Sequence, residues 1–281
     1  MRGAVVAAVL GLLALAGCGQ RSGEAEVARA LREVEAVQDG ALSEVMMQAA
    51  DPAEAVAFFR RQAAEEPGAI QPQRGLAASL VRAGLLTEAV PAWRAVAGHP
   101  EATDEDRVEL AGALVRAGDW DAARATLAAI PPTHETYERY RLEAMVADAA
   151  GDWSSADSFY ETAVGLTTTP AGVLNNWGFS KLTRGDYGAA ERLFADALRH
   201  DPALFTAKNN LVMARGAQRD YGLPVIPMTQ EERAQLLHTL ALTAIKQGDV
   251  AMGRRLLEEA VATHPRHFEE AARALDALGA G

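Results

Sequence analysis

The sequence predicts an all-α fold, an α-solenoid built from stacked helical hairpins, and three observations carry that prediction. First, turn-forming residues recur at Ala50, Gly84, Gly118, Gly151 and Gly185, spaced 34, 34, 33 and 34, with a last turn at Gly248. Second, each turn is followed at one fixed offset by a small residue (Ala55, Ala89, Ala123, Ala156, Ala190, Gly253) and four residues later by a large apolar one (Phe59, Trp93, Leu127, Tyr160, Phe194, Leu257). A small side chain lets two helix backbones approach, and a large one a turn later fills the space beside the contact. Third, the composition is 49% hydrophobic but only 6% aromatic, which suits helices packed through Ala and Leu. A chain of 281 residues could form one or two compact domains, but an internal period favours a single repeat array.

The clearest copy runs from Ala171 to Leu204: a helix, a turn at Gly185-Asp186 and a second helix closed by Asp201-Pro202. Gly tolerates the left-handed conformation that ends a helix, and Asp caps the next one. Trp177 and Gly178 lie on the first helix and Ala190, Phe194 and Ala197 on the second, with Trp177 and Phe194 expected to fill the space beside the Gly178–Ala190 approach. The place of Trp177 is taken elsewhere by Leu42, Leu76, Leu110, Leu211 and Leu240, and once by Glu143, the single poor fit. These residue types at these offsets resemble the tetratricopeptide (TPR) repeat.

Taken in order, residues 1–17 read as a secretory signal, with Arg2 as its charged start and an apolar run from Val5 to Ala16. That run ends in Leu15-Ala16-Gly17-Cys18, which matches the bacterial lipobox, so Cys18, the only cysteine, is the expected lipidation site. Gly19 stands where an Asp is the usual inner-membrane retention signal, which favours the outer membrane. Residues 18–35 are read as lipidated cysteine, short tether and N-terminal capping helix. Gly19 to Gly23 span at most about 18 Å, and Val27, Ala30, Leu31, Val34 and Val37 form one apolar stripe. The repeats are placed at 36–265, with breaks at Pro131-Pro132 and at Thr167–Pro170. Phe205 to Gln218 supply a first helix, yet the prolines of Asp220–Met228 forbid a second, so the array is expected to be interrupted at about 220–229. Leu223, Val225, Ile226 and Met228 are expected to cover the face left bare, as an extended strap; a free docking loop is the alternative. Thr229 to Glu232 reads as a capping box opening the final pair, and 266–281 as a C-terminal capping helix.

No pattern for catalysis is present. His134-Glu135 begins a zinc-protease-like motif but Glu138 stands where the second His is needed, and no phosphate loop, dinucleotide fingerprint or serine elbow occurs. No enzyme activity, cofactor or metal is expected, and His99, His200 and His264 are read as closing second helices. The net charge of -11 argues against nucleic acid and against a helix lying on anionic lipid. The remaining candidates are binding residues. Asn176 and Asn210 are equivalent, 34 residues apart, and each follows another asparagine, Asn175 and Asn209. The TPR resemblance implies that an asparagine here hydrogen-bonds the backbone of an extended peptide; an exposed residue facing only solvent is the competing reading. Arg74 and Arg141 share the place of Asn175 in their own copies, which would make the groove locally basic.

Two stretches carry a closer resemblance: LNNWGFSKLTRGDY, and FTAKNNLVMARGAQRDYGLPVIPMTQEERAQLLHTLALTAIKQGD with its helix-less interruption. They resemble the TPR lipoprotein family of the tight-adherence (Flp pilus) secretion apparatus, TadD, over roughly 36 to 279. The resemblance implies a non-enzymatic part in assembling the pilus machine, with protein partners that include its secretin, a membrane contact through the lipid anchor, and a place on the periplasmic face of the outer membrane. A general envelope-assembly lipoprotein for barrel proteins or peptidoglycan is the alternative, and a cell-wall enzyme or enzyme regulator the alternative of another class.

Overall fold

The computed structural model describes residues 42–279, so the signal, Cys18, the tether and the predicted capping helix before it lie outside the described residues. All regular structure among those residues is helical: α1 (42–48), α2 (Pro52–Glu65), α3 (Ile70–Arg82), α4 (Leu86–Ala97), α5 (Asp104–Ala117), α6 (Trp120–Ala128), α7 (Tyr137–Ala149), α8 (Trp153–Gly165), α9 (Ala171–Thr183), α10 (Tyr187–His200), α11 (Phe205–Ala217), α12 (Gln230–Lys246), α13 (Val250–Thr263) and α14 (Glu269–Gly279). The chain divides into two compact units after Asp106, within α5.

In the first unit, Asp51 caps α2 by accepting from the Ala53 amide at 2.9 Å, with Pro52 in the first turn, where a missing N–H costs nothing. Phe59 is buried against Gly75, so closely that a methyl group on Gly75 would lie 2.3 Å from the ring. Val56, Leu80 and Ala89 form the core joining α2, α3 and α4. Arg82 closes the end of α1 by donating to the carbonyls of Met46, Met47 and Ala50.

In the second unit, α7 pairs with α8, α9 with α10 and α12 with α13. The expected turn chemistry is present. Gly118, Gly151, Gly185 and Gly248 have φ between 74° and 84°, and Asp119, Asp152, Asp186 and Asp249 each cap the helix that follows. Fully buried Ala190, Phe194 and Ala197 join α10 to Leu174 on α9 and to Ala207, Leu211 and Ala214 on α11. A Cβ on Gly178 would meet the Phe194 ring at 2.7 Å, which is why the first helix has glycine there.

Two side chains differ from expectation. Trp177 does not pack beside Phe194; it turns back onto the preceding hairpin, stacks on Tyr160 with centroids 6.2 Å apart, and donates its Nε1 to Asp157 at 2.7 Å. Glu143, the poor fit, is held by Arg139 one turn earlier at 2.9 Å. Arg139 also donates to the carbonyls of Pro131 and His134, so a partly buried ion pair occupies a place that is apolar elsewhere.

The interruption is a strap. No helix lies between Ala217 and Gln230, and Tyr221, Leu223 and Met228 pack on the α12–α13 core while Ile226 packs on the α9–α11 core. Val225, expected to help, points fully into solvent, because the buried Pro224 before it fixes which neighbours face inward. The capping box forms: the Thr229 side chain accepts from the Glu232 amide and Glu232 accepts from the Thr229 amide. At the C-terminal end, Phe268 and Ala271 are buried against the α12–α13 core with Leu275 and Leu278 beside them.

Candidate functional site

The candidate residues fall in different units. Arg74, in the first, is committed within the fold: its Nε and Nη2 donate to Asp106 at 2.6 and 2.7 Å. Burial alone would raise the Asp106 pKa, but the Arg74 guanidinium and the Thr103 amide and hydroxyl outweigh it and hold the carboxyl below its usual range. A guanidinium held in this way, bidentate on a buried carboxylate, offers little charge to a ligand.

The others lie on the first helices of the second unit and touch one another across helices. Asn210 on α11 donates to the side-chain oxygen of Asn175 on α9 at 3.0 Å. Thr239 on α12 donates its hydroxyl to Asn209 at 2.8 Å. Asn176 reaches the Met145 sulfur on α7 at 3.8 Å, and Asn209 the Met213 sulfur at 3.6 Å. The asparagines therefore form a chain of contacts along consecutive first helices, each oriented by a neighbour. Sequence spacing aligned these positions but could not show that the tenth residue before one turn meets the ninth before the next. Arg141 approaches the Met145 sulfur at 3.7 Å.

Other polar clusters tie helices together. Asp157 on α8 accepts from Trp177, Lys181 (2.8 Å) and Arg184 (2.5 Å), all on or just after α9. Burial would raise its pKa, but the hydrogen bonds from Arg184, Lys181 and Trp177 prevail and lower it from 3.8 to about 2. Asp148 accepts from the Tyr160 hydroxyl at 3.0 Å and from Ser180 at 2.6 Å. At the interruption the buried Lys208 reaches Glu232 at 2.9 Å, and Tyr221 donates to Gln247, which donates in turn to the Gly216 carbonyl. His264 accepts from the Arg266 amide at the close of α13, and His99 from the Glu101 amide after α4, both structural arrangements.

Among the described residues no group of three or more His, Cys, Asp or Glu could hold a metal ion, and no helix is long and apolar enough to cross a membrane. The hydrogen-bonded clusters hold helices in place, and none of them combines a nucleophile with a base in an accessible cleft.

No family model matches the chain, and no curated protein does. Solved structures do. The Cut9–Hcn1 hetero-tetramer of the APC/C matches with a TM-score of 0.61 at 13% identity, over 84% of this chain and 48% of that one, so the chain spans about half the length of that relative. A tetratricopeptide repeat protein from Parabacteroides merdae matches with a TM-score of 0.57 at 12% identity, covering 84% of this chain and 95% of that one. The C-terminal part of a TPR repeat-containing protein from Cytophaga hutchinsonii matches at 0.51 and 16% identity, over 83% and 98%. At these identities the likeness establishes the fold, and the fold is that of a TPR solenoid.

Proposed function

We propose that this TPR protein is a lipid-anchored scaffold that helps assemble a tight-adherence (Flp) pilus secretion apparatus from the periplasmic face of the outer membrane, aiding its secretin to localise or oligomerise. One observation carries the reading: the interrupted repeat at 205–229, with its flanking asparagine pairs, is the part of the sequence most like the TadD family, and it is built into the fold by the strap and by Lys208–Glu232. A defect of drift would leave the face of α11 bare; here the covering residues are in place. The polar residues of the first helices are oriented and uncharged at 175, 176, 209 and 210, which suits contact with the main chain of a protein partner. Lipidation at Cys18 would anchor such a scaffold.

Deletion of the gene in its source bacterium tests the proposal. Loss of surface pili and of secretin multimers, with unchanged outer-membrane composition and restoration by the wild-type copy but not by Cys18→Ala, is the expected result. General barrel-protein or cell-wall defects with intact pili would replace it by the envelope-assembly reading, and cell-wall hydrolysis by purified protein by the enzymatic one.

A further inference from the structure

Four places meet where one hairpin joins the next: the residue six after a turn, on the second helix, and those eight, four and one before the following turn, on or just after the first helix. Between α8 and α9 these are Asp157, Trp177, Lys181 and Arg184, and the last three fill the joint by converging on Asp157. Between α10 and α11, with Arg219 as the turn residue, they are Glu191, Leu211, Arg215 and Gln218, and Gln218 donates to Glu191 at 3.1 Å. Between α2 and α3 in the first unit they are Val56, Leu76, Leu80 and Ala83, packed together. Between α6 and α7 they are Arg124, Glu143, Ala147 and Ala150. The place of Lys181, large in each of the other three joints, is thus an alanine here, and that of Arg184 is another.

A cavity of about 260 Å³ stands where Trp177, Lys181 and Arg184 stand one repeat later, and Arg124, Glu143, Ala147 and Ala150 all line it. Helix interfaces are close-packed as a rule, so an unfilled joint of this size is a departure. Its apolar wall is Leu127 on α6, Val146 on α7 and Phe159 on α8. Glu143 breaks the apolar rule kept by the equivalent residues, and rules of pattern fail most often where a site needs them to. Arg139 Nε donates to Glu143 Oε1 at 2.9 Å, and Oε2 accepts no hydrogen bond among the described residues. Arg124 is exposed and pairs at 3.3 Å with the equally exposed Asp121, a surface contact that leaves it movable.

Size and chemistry narrow the occupant. A cavity of about 150 Å³ holds benzene, so this one admits a two-ring aromatic. A carboxylate only accepts, which favours a ring that carries an N–H. Because Arg139 already balances the charge of Glu143, a neutral donor suits the place better than an ammonium. A guanidinium on the wall suits the face of a ring, as Arg184 lies over Trp153 at 5.2 Å. The neighbouring joint contains the same pairing within the fold, the Trp177 indole donating to the Asp157 carboxylate at 2.7 Å.

We infer that the cavity between α6 and α8, walled by α7, receives a tryptophan side chain from a protein partner. Its ring lies on Leu127, Val146 and Phe159, its N–H donates to Glu143, and Arg124 covers one face. A large aromatic seated in a preformed pocket is the usual anchor of a protein interface.

Chemical-shift titration of the full chain with N-acetyl-tryptophanamide tests this. Saturable shifts confined to the amides of 143–150 and their neighbours on α6 and α8 are the expected result. The benzothienylalanine analogue, which has sulfur in place of the N–H, should bind at least about threefold more weakly. Ala147→Leu, which gives the joint the residue that α3 has there, should abolish the shifts while melting no lower than the wild type. Ala150→Arg, at an exposed position, should abolish them too and serves if the first variant does not fold. Absent or unsaturable shifts would overturn the inference, as would shifts undiminished in the variant that folds, or equal binding of the analogue. Tryptamine binding more than about tenfold tighter than the blocked amide would also overturn it, by assigning the cavity to a small cationic amine. These outcomes are read on purified protein and stand or fall apart from the pilus role.

Discussion

The α9–α10 hairpin and the interrupted repeat that follows it begin alike and end differently. Both first helices close with the same pair of backbone bonds: Asp186 to Lys181 and Gly185 to Leu182 in one, Asp220 to Arg215 and Arg219 to Gly216 in the other, at 2.9–3.1 Å. In the regular hairpin Gly185 supplies φ 82°, and in the interrupted one Arg219 is driven to φ 63°. The aspartates then part ways. Asp186 accepts from the Ala189 amide and opens α10, whereas Asp220 accepts from the Gly222 amide and opens a tight turn into Pro224. A hairpin can thus lose its second helix without losing its turn, provided other side chains cover the exposed face. In the regular repeat that work falls to Phe194 alone at its centre, with Ala190 and Ala197 beside it; in the interrupted one it is divided among Leu223, Ile226, Met228, Tyr221 and the Lys208–Glu232 pair.

The comparison can be broken from either side. Phe194→Ala, at a fully buried position, should destabilise the second unit by about 3–5 kcal/mol, measured by urea unfolding. Glu232→Ala should cost about 3 kcal/mol, because it removes a cap and leaves the buried Lys208 ammonium without its partner. Lys208→Met, which takes the charge away too, should cost clearly less. If the two cost the same, the pair contributes nothing as a pair. The joint between hairpins α7–α8 and α9–α10 should respond to acid. Asp157 has a folded pKa lowered from 3.8 to about 2, so its contribution is complete above the unfolded value and disappears as pH falls from about 4 to about 2. Asp157→Asn should flatten the stability profile over that interval. The smallest effect is a gain: Arg219→Gly relieves a left-handed arginine and should stabilise by up to about 1 kcal/mol, seen as a raised melting temperature.

The turn glycines, the capping aspartates and the small-then-large rule of the second helices were legible because each is a local requirement of backbone or helix contact. So was the absence of a helix at 220–229, since proline acts on its own neighbours. What escaped the sequence depends on which side-chain partner a residue takes, a choice the repeat spacing does not specify. Glu143 reads as an error until Arg139 is seen beside it. Trp177 has a partner in α8 and not in its own hairpin. Arg74 reads as a groove cation until Asp106 is found to hold it. Val225 could be assigned to the strap by hydropathy but its direction could not, because alternation fails around prolines. For the candidate surface, spacing aligned Asn176 with Asn210, yet the bond that orients the chain joins Asn210 to Asn175.

Native-state hydrogen exchange on the α11 amides tests most directly whether the strap stands in for the missing helix. The account predicts that α11 is protected to the same free energy as α9, and that Leu223→Ser/Met228→Ser lowers protection in α11 and α12 while leaving α8 largely unchanged. Faster exchange in α11 than in α9 in the wild type, with no further change in the double variant, would contradict it.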